Sequence, residues 1–287
     1  MRDPSTPEPE FARAGRRLPG CETVRVDDVD TDADAGPKDR IQSIERGFAV
    51  LLAFDAERTN PSLIEIAKAT GLSRPAVRRI LLTLQHLGYV EPTGGSHWRL
   101  TPRVLTIGQH YATSSAIVAV SEPHMGRLVE ETHETASLSA MDGREVVYLA
   151  RVPAKRVLNV TAAAGTRVPA HATSMGRVLL AAAPPEFVEQ YLADPGLTPL
   201  TPHTITDPGQ FRDALERVRR QGWALVSEER ERGLVAVSAP IRDHTGQVVA
   251  ALSSSSSTGR TSPGHIERYI VPVLTRIAKE ISSDLGG

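Results

Sequence analysis

One cysteine, Cys21, is all the chain contains, so a disulfide within the chain and a thiolate metal site are both excluded. Long apolar runs are missing too. Nothing approaches the roughly 20 residues that a membrane-spanning helix needs, and the first residues lack the hydrophobic stretch of a signal peptide. These absences predict a soluble cytoplasmic chain with no membrane partner. The formal net charge is only -1, so any attraction to nucleic acid has to be local rather than global. No GxGxxG or GxxxxGK loop is present, which leaves no case for a nucleotide. His133-Glu134 has no second histidine at the spacing of a helical zinc motif. No metal and no cofactor are therefore expected. Ala172–Gly176 approaches the G-x-S-x-G nucleophile elbow beside His171, but its first glycine is absent and no strand pattern leads into it. No residue is assigned a catalytic role.

What is there is concentrated in Pro61–Leu100. Leu63, Ile66 and Ala67 fall at helical spacing and predict a short helix that stops at Thr70-Gly71, where glycine takes the left-handed C-cap. Ser73 is placed to cap a second helix with Pro75 in its first turn. Val77, Ile80, Leu81, Leu84 and Leu87 then define a buried stripe. Two helices joined by a tight glycine turn form a helix-turn-helix, with Ala67 at the crossing and Val77 filling the angle. The opposite face of the second helix carries Ser73, Arg74, Arg78, Arg79 and Thr83. Arginine bonds guanine bidentately and hydroxyls reach phosphate or base, which suits a helix in the major groove. Tyr89–Glu91 and His97–Leu100 are strand-like runs around Gly94-Gly95, the pattern of a wing, and place Arg99 beside the backbone. From Arg40 to His110 there are nine Lys/Arg and five Asp/Glu, whereas residues 1–39 carry six and ten. Positive charge thus sits on the candidate reading head, as phosphate binding requires.

Residues 1–39 have almost no apolar periodicity and are read as a disordered tail. Ile41–Phe54 is an amphipathic helix with Ile41, Ile44, Phe48, Leu51 and Leu52 as its packing stripe, leaving Ser43 and Arg46 facing away within reach of phosphate. Val104–Tyr111 predicts a connecting helix and Ile117–Glu131 another, with Pro123 early in it or kinking it. Thr135–Ala140 and Glu145–Val152 form a hairpin about Asp142-Gly143, with a further strand at Val157–Val160. Helices follow at Thr173–Ala183, Glu186–Leu192 and Pro208–Gln221, strands at Trp223–Ser227, Leu234–Ile241 and Gln247–Ser253, and a terminal helix at Pro263–Ser282. The mixture predicts an α+β domain with an antiparallel sheet. Hydroxyls at Ser137, Ser139, Ser174, Ser227, Ser238, Ser253 and Ser254, with arginines at Arg144, Arg151, Arg156 and Arg167, suit a pocket for a carboxylate.

Five runs carry a family resemblance: Ile41–Asp55, Gly71–Val90, Leu100–Tyr111, Arg167–Ala181 and Gly222–Leu234. On these the chain resembles the IclR family of bacterial transcriptional regulators, and most nearly its PcaR/PobR-type subgroup for protocatechuate and 4-hydroxybenzoate catabolism through the β-ketoadipate pathway. The resemblance implies a winged helix-turn-helix domain over 40–101, a linker helix over 102–116 and a GAF-like effector and oligomerisation domain over 117–287. It also implies a double-stranded DNA operator, a small aromatic or keto-acid effector, and self-association as a homodimer or tetramer. Its pocket would lie against Ala170–Gly176 and the last strands, which with the hydroxyls and arginines above gives Ser139, Arg151, Thr173, Ser174, Met175, Glu228, Leu234, Ser238 and Ser254. The sequence departs from the family at Val235-Ala236-Val237, which leaves the effector open. The rival reading is a metabolite-binding protein or enzyme whose winged helix makes protein contacts.

Overall fold

A computed structural model describes residues 41–55, 58–154, 163–193 and 196–286. The tail 1–39, Arg156 and the strand expected over Val157–Val160 lie outside the described residues. The chain divides into two compact units, Met1–Thr101 and Pro102–Gly287, each with its own core.

The first unit orders as α1 (Gln42–Leu52), α2 (Leu63–Thr70), α3 (Arg74–His86), β1 (Val90–Gly94) and β2 (His97–Leu100). α2 begins with a reciprocal cap: Glu65 N donates to the Ser62 hydroxyl and Ser62 N to the Glu65 carboxylate at 2.7 Å, which satisfies two orphan donors at once. It ends on Gly71 at φ 69°, a conformation that costs a residue without a Cβ nothing. The chain then turns into α3 with Pro75 in the first turn. Strands β1 and β2 pair antiparallel, Glu91 opposite Arg99. Two backbone bonds, Leu63 N to Ser96 O and Trp98 N to Pro61 O, each 3.0 Å, fasten this hairpin to the chain entering α2. Ile66, Val77, Leu81, Leu84, Val90 and Trp98 pack with Val50 and Phe54 into the core.

Two sequence expectations fail in this unit. Most of the stripe assigned to α1 faces away from the core: Ile41, Ile44, Phe48 and Leu52 are 54–77% exposed, while Leu51 packs against it, partly buried. Val50, Ala53 and Phe54 make the contact instead, because α1 is apolar over more than one face and periodicity does not say which face packs. Leu87 is also exposed. It is the C-cap of α3, past the last turn that faces Leu81 and Leu84.

A single turn at Pro102–Val104 leads into α4 (Leu105–Ser114) and α5 (Ala116–Thr132), with Pro123 inside the latter. Strands β3 (Thr135–Asp142), β4 (Glu145–Val152), β5 (Arg167–Pro169), β6 (Ala224–Ser227), β7 (Leu234–Arg242) and β8 (Val248–Ser257) form one antiparallel sheet in the order β5-β4-β3-β8-β7-β6. The β3–β4 turn is Gly143-Arg144 rather than Asp142-Gly143, since Asp142 pairs with Glu145. Gly143 takes φ 60°, as a two-residue hairpin with glycine first requires.

Strand alternation gives the sheet two buried faces. Leu138, Val235, Val237, Ile241 and Leu252 pack on α5 and α10 (Val271–Gly286). Val146, Tyr148 and Ala251 pack on α6 (Ser174–Ala182), α7 (Pro185–Ala193) and α8 (Pro208–Gln221). Between β8 and α10 lie the short turn α9 (Pro263–His265) and a π-type turn at Ile266–Ile270.

Candidate functional site

Two sites emerge, one in each unit. In the first, Ser73, Arg74, Arg78, Arg79 and Thr83 are all exposed on α3. Among the described residues no acidic side chain pairs with Arg74, Arg78 or Arg79. Ser73 holds the N-cap position, yet its side chain makes no cap hydrogen bond. That leaves both its hydroxyl and the first amides of α3 available for a phosphate. The Thr83 hydroxyl is turned back onto Arg79 O at 3.0 Å. On the wing, Arg99 Nε donates to Glu91 Oε1 at 2.6 Å across the β1–β2 register. An exposed pair of this kind holds a side chain only weakly, so Arg99 remains exchangeable toward a stronger anion. Ser43 and Arg46 are exposed on α1.

The second site is built on the start of α6. Thr173, not Ser174, caps that helix, accepting from Gly176 N at 3.1 Å. Gly176 lies against the backbone of Ala170, where any Cβ would overlap the Ala170 carbonyl. Only glycine lets the helix approach so closely. This approach sets the first turn of α6 against a space of roughly 540 Å3, part of it open to solvent. Ser137, Ser253 and Ser255 furnish its floor, Arg151, Tyr148 and Arg230 one side, and Thr173, Ser174 and Met175 the helix end. The Ser174 hydroxyl is bonded to that of Ser238 at 2.7 Å, in the sheet row Ser137–Ser253–Ser238.

Tyr148 and Arg151 share this face because of a bulge. Leu138 pairs with Ala150 but Ser139 pairs with Tyr148, so one extra residue in β4 reverses its alternation. Burial lowers the pKa of the Arg151 guanidinium, Tyr148 opposes the shift and Arg230 adds to it. Glu228 stands in the left-handed region at φ 60°, an unfavourable place for a side chain. It is held there by Glu228 N to Leu234 O and Gly233 N to Glu228 Oε1, both 2.7 Å. Beneath the rim, Arg177 Nη2 donates to Glu229 Oε2 at 2.5 Å with both side chains buried. Burial pushes the Arg177 guanidinium down and Glu229 opposes it. His171 is buried outside the pocket wall. Its Nε2 lies 2.8 Å from Thr198 O and desolvation keeps its pKa below the ordinary value.

Of the residues named from sequence, Ser137, Arg151, Thr173, Ser174, Met175, Glu228, Leu234 and Ser253 line this space. Ser238 stands behind Ser174. Ser139 is buried with its hydroxyl toward Ala251 O at 3.4 Å, outside the wall. Ser254 alternates with Ser253 and Ser255, so it faces α5 and α10, buried and without a hydrogen-bond partner. The arginine cluster disperses. Arg144 donates to Tyr191 O at 2.6 Å and Gly196 O at 2.9 Å, and Arg167 pairs with Glu145 and Asp142. Sequence reading passed over Tyr148, Glu229, Arg230 and Ser255. The signal for the middle two was the run Glu228–Arg232, charged where two strand patterns should meet. The elbow at Ala172–Gly176 is a helix start whose serine is bonded to another serine. Among the described residues no group of His, Cys, Asp or Glu is arranged to hold a metal ion, and no helix is long and apolar enough to cross a membrane.

A helix-turn-helix with a cationic face unpaired among the described residues and a wing, on a chain whose other unit walls a pocket carrying serines and arginines, defines a transcription factor with its own sensor. Residues 43–94 match the IclR helix-turn-helix domain and residues 109–283 the bacterial transcriptional regulator IclR C-terminal domain. The chain belongs to the IclR family. It is 34% identical to the Pca regulon regulatory protein of Pseudomonas putida over 100% of this chain and 98% of that protein. It is 36% identical to the p-hydroxybenzoate hydroxylase transcriptional activator of Acinetobacter baylyi, over 85% of this chain and 92% of the activator. Among solved structures it is similar to an IclR homolog from Microbacterium hydrocarbonoxydans complexed with 4-hydroxybenzoate. The TM-score there is 0.72 at 28% identity, covering 85% of this chain and 98% of that one. The protein is thus a DNA-binding transcriptional regulator.

Proposed function

We propose that the protein acts in the cytoplasm, reads its operator with Arg74, Arg78 and Arg79 in the major groove, and releases or rearranges on the operator when an aromatic or keto acid enters the second unit. Ser73 and Thr83 support the reading helix, while Ser43, Arg46 and Arg99 meet flanking phosphates. The observation that carries the effector reading is the convergence of the α6 start with two guanidiniums, Arg151 and Arg230, on one pocket. A helix N-terminus and arginine both favour a carboxylate. The hydroxyls of Ser137, Ser174 and Ser253 suit a second polar group on the ligand. The 4-hydroxybenzoate bound by the Microbacterium homolog has this chemistry. In this reading 40–101 is the DNA-binding domain, 102–116 the linker and 117–287 the effector domain.

Ser174→Leu is the direct test. Ser174 is 1% exposed, and the larger side chain fills the helix end of the pocket. Wild type should gain apparent stability with saturating 4-hydroxybenzoate, by about 2.7 kcal/mol at 100 times Kd. The variant should lose that gain and still shift operator DNA. A variant that keeps the full ligand response would remove Ser174 from the site.

Self-association belongs to the same reading. Ile41, Ile44, Phe48 and Leu52 form an exposed apolar stripe on the helix beside the reading head, a surface that a second copy would cover. Phe48→Asp should shift the protein toward monomer in sedimentation and weaken operator binding by about tenfold or more. An unchanged sedimentation profile would place the dimer contact elsewhere.

A further inference from the structure

Arg177 lies one turn along α6 from Ser174, 5% exposed. Its charge is bonded to Glu229 on the loop between β6 and β7, its Nε has no partner, and its guanidinium carbon stands 5.7 Å from the Phe211 ring centre. A buried pair with one donor unsatisfied is a poor source of stability, since desolvation consumes most of the Coulombic gain. What it does supply is position. The Glu229 carboxylate also accepts from Ile205 N at 3.2 Å. The Glu229 carbonyl accepts from the Thr204 hydroxyl at 2.6 Å and that of Glu228 from the Thr201 hydroxyl at 2.7 Å. Glu228, left-handed at φ 60°, and Arg230, whose Nη1 reaches Tyr148 OH at 3.5 Å, flank Glu229 directly. Arg230's own partners are long, Tyr148 OH at 3.5 Å and Glu231 Oε2 at 3.4 Å. A fixed Glu229 is therefore the firmest constraint on the backbone that carries it, and without it the strained turn at Glu228 has a route to relax.

We propose that Arg177 is a positioning residue for ligand binding: through Glu229 it sets the 228–233 loop so that Arg230 faces the pocket. The proposal rests on that pocket being the acid site described above. It places Arg230, one of the cations that would face the acid, under the control of a residue outside the pocket lining.

The test uses the full chain as wild type, Glu229→Gln, Arg177→Met, Arg177→Lys, Arg230→Ala and the Glu229→Gln/Arg230→Ala double variant. Hydrogen exchange without ligand should accelerate about tenfold or more over Glu228–Gly233 in Glu229→Gln and Arg177→Met, while peptides of β3 and α10 keep their wild-type rates. Calorimetric titration with benzoate, 4-hydroxybenzoate and adipate should show about a tenfold loss for Glu229→Gln and for Arg230→Ala. The double variant should bind no more weakly than Arg230→Ala alone, because the two act as a unit. Arg177→Lys should restore much of the affinity lost in Arg177→Met. Losses that multiply to about a hundredfold in the double variant, or an unchanged exchange rate over the loop, overturn the proposal. Failure of wild type to bind any of the three acids counts against the acid pocket itself. The exchange result then decides the loop-setting role alone, and Glu229→Gln serves if the Arg177 variants do not fold.

Discussion

Alanine at Arg78 and Arg79 together should lower affinity for a selected duplex by roughly a hundredfold or more. A good bidentate contact from arginine to a base is worth about 1–3 kcal/mol of discrimination, and these two side chains lie exposed on α3 with no acidic partner among the described residues. No described acidic residue competes for them, so their loss is felt by the complex. Fluorescence anisotropy on a duplex enriched by the wild type from a randomised pool, repeated across salt concentrations, reads two things at once. A base contact relaxes sequence preference at its position. A phosphate contact weakens all sequences alike and flattens the salt slope by about one per side chain. Undiminished affinity would mean that α3 does not dock. Neither substitution should disturb folding, because the stripe that packs α3 consists of Val77, Leu81 and Leu84 on its other side.

Gly176→Ala should be the most damaging single methyl group in the second unit. The added carbon would overlap the Ala170 carbonyl and Cα, and both are backbone atoms that no rotamer change can move aside. Relief requires α6 to lift from the segment that precedes it, carrying Met175, Val178 and Leu179 out of a packed cluster. Overpacking ordinarily costs about 1–3 kcal/mol, and a clash with rigid backbone belongs at or beyond the top of that range. For a unit of this size a loss of about 3 kcal/mol lowers Tm by roughly 6–12 °C. Thermal unfolding measures it, and a Tm within a degree of wild type would contradict the close approach. The same displacement moves Thr173 and Ser174, so the ligand response should fall as well.

Local signals carried much of the fold. Gly71 ends α2, Pro75 opens α3, and the stripe Val77–Leu81–Leu84 packs as its spacing requires. The residues themselves marked a reading head and a second α+β domain, and the resemblance added the family. Contacts that depend on register were not legible. No residue pattern announces the β4 bulge, and strict alternation would have put Tyr148 and Arg151 on opposite faces, whereas they share one. The serines were visible as a set, but Ser253 could not be told from Ser254 without knowing which face met α6. The arginines near the pocket in sequence were mostly spent elsewhere, Arg144 on carbonyls and Arg167 on carboxylates. Arg230, which does line the pocket, stood in a charged run with no periodicity to interpret. The outward stripe of α1 failed for a related reason: amphipathicity marks a surface that wants covering without naming what covers it.

The central strand β8 divides its serines between two tasks. Ser253 and Ser255 look into the pocket, while Ser254 between them looks into the layer that holds the sheet to α5 and α10, with no partner for its hydroxyl. In the proposed reading, a change at Ser253 or Ser255 acts on the ligand, and a change at Ser254 acts on how firmly the sheet is held to its helices. A protein arranged in this way can be retuned to a new metabolite by small steps along a single strand, without renegotiating its architecture each time.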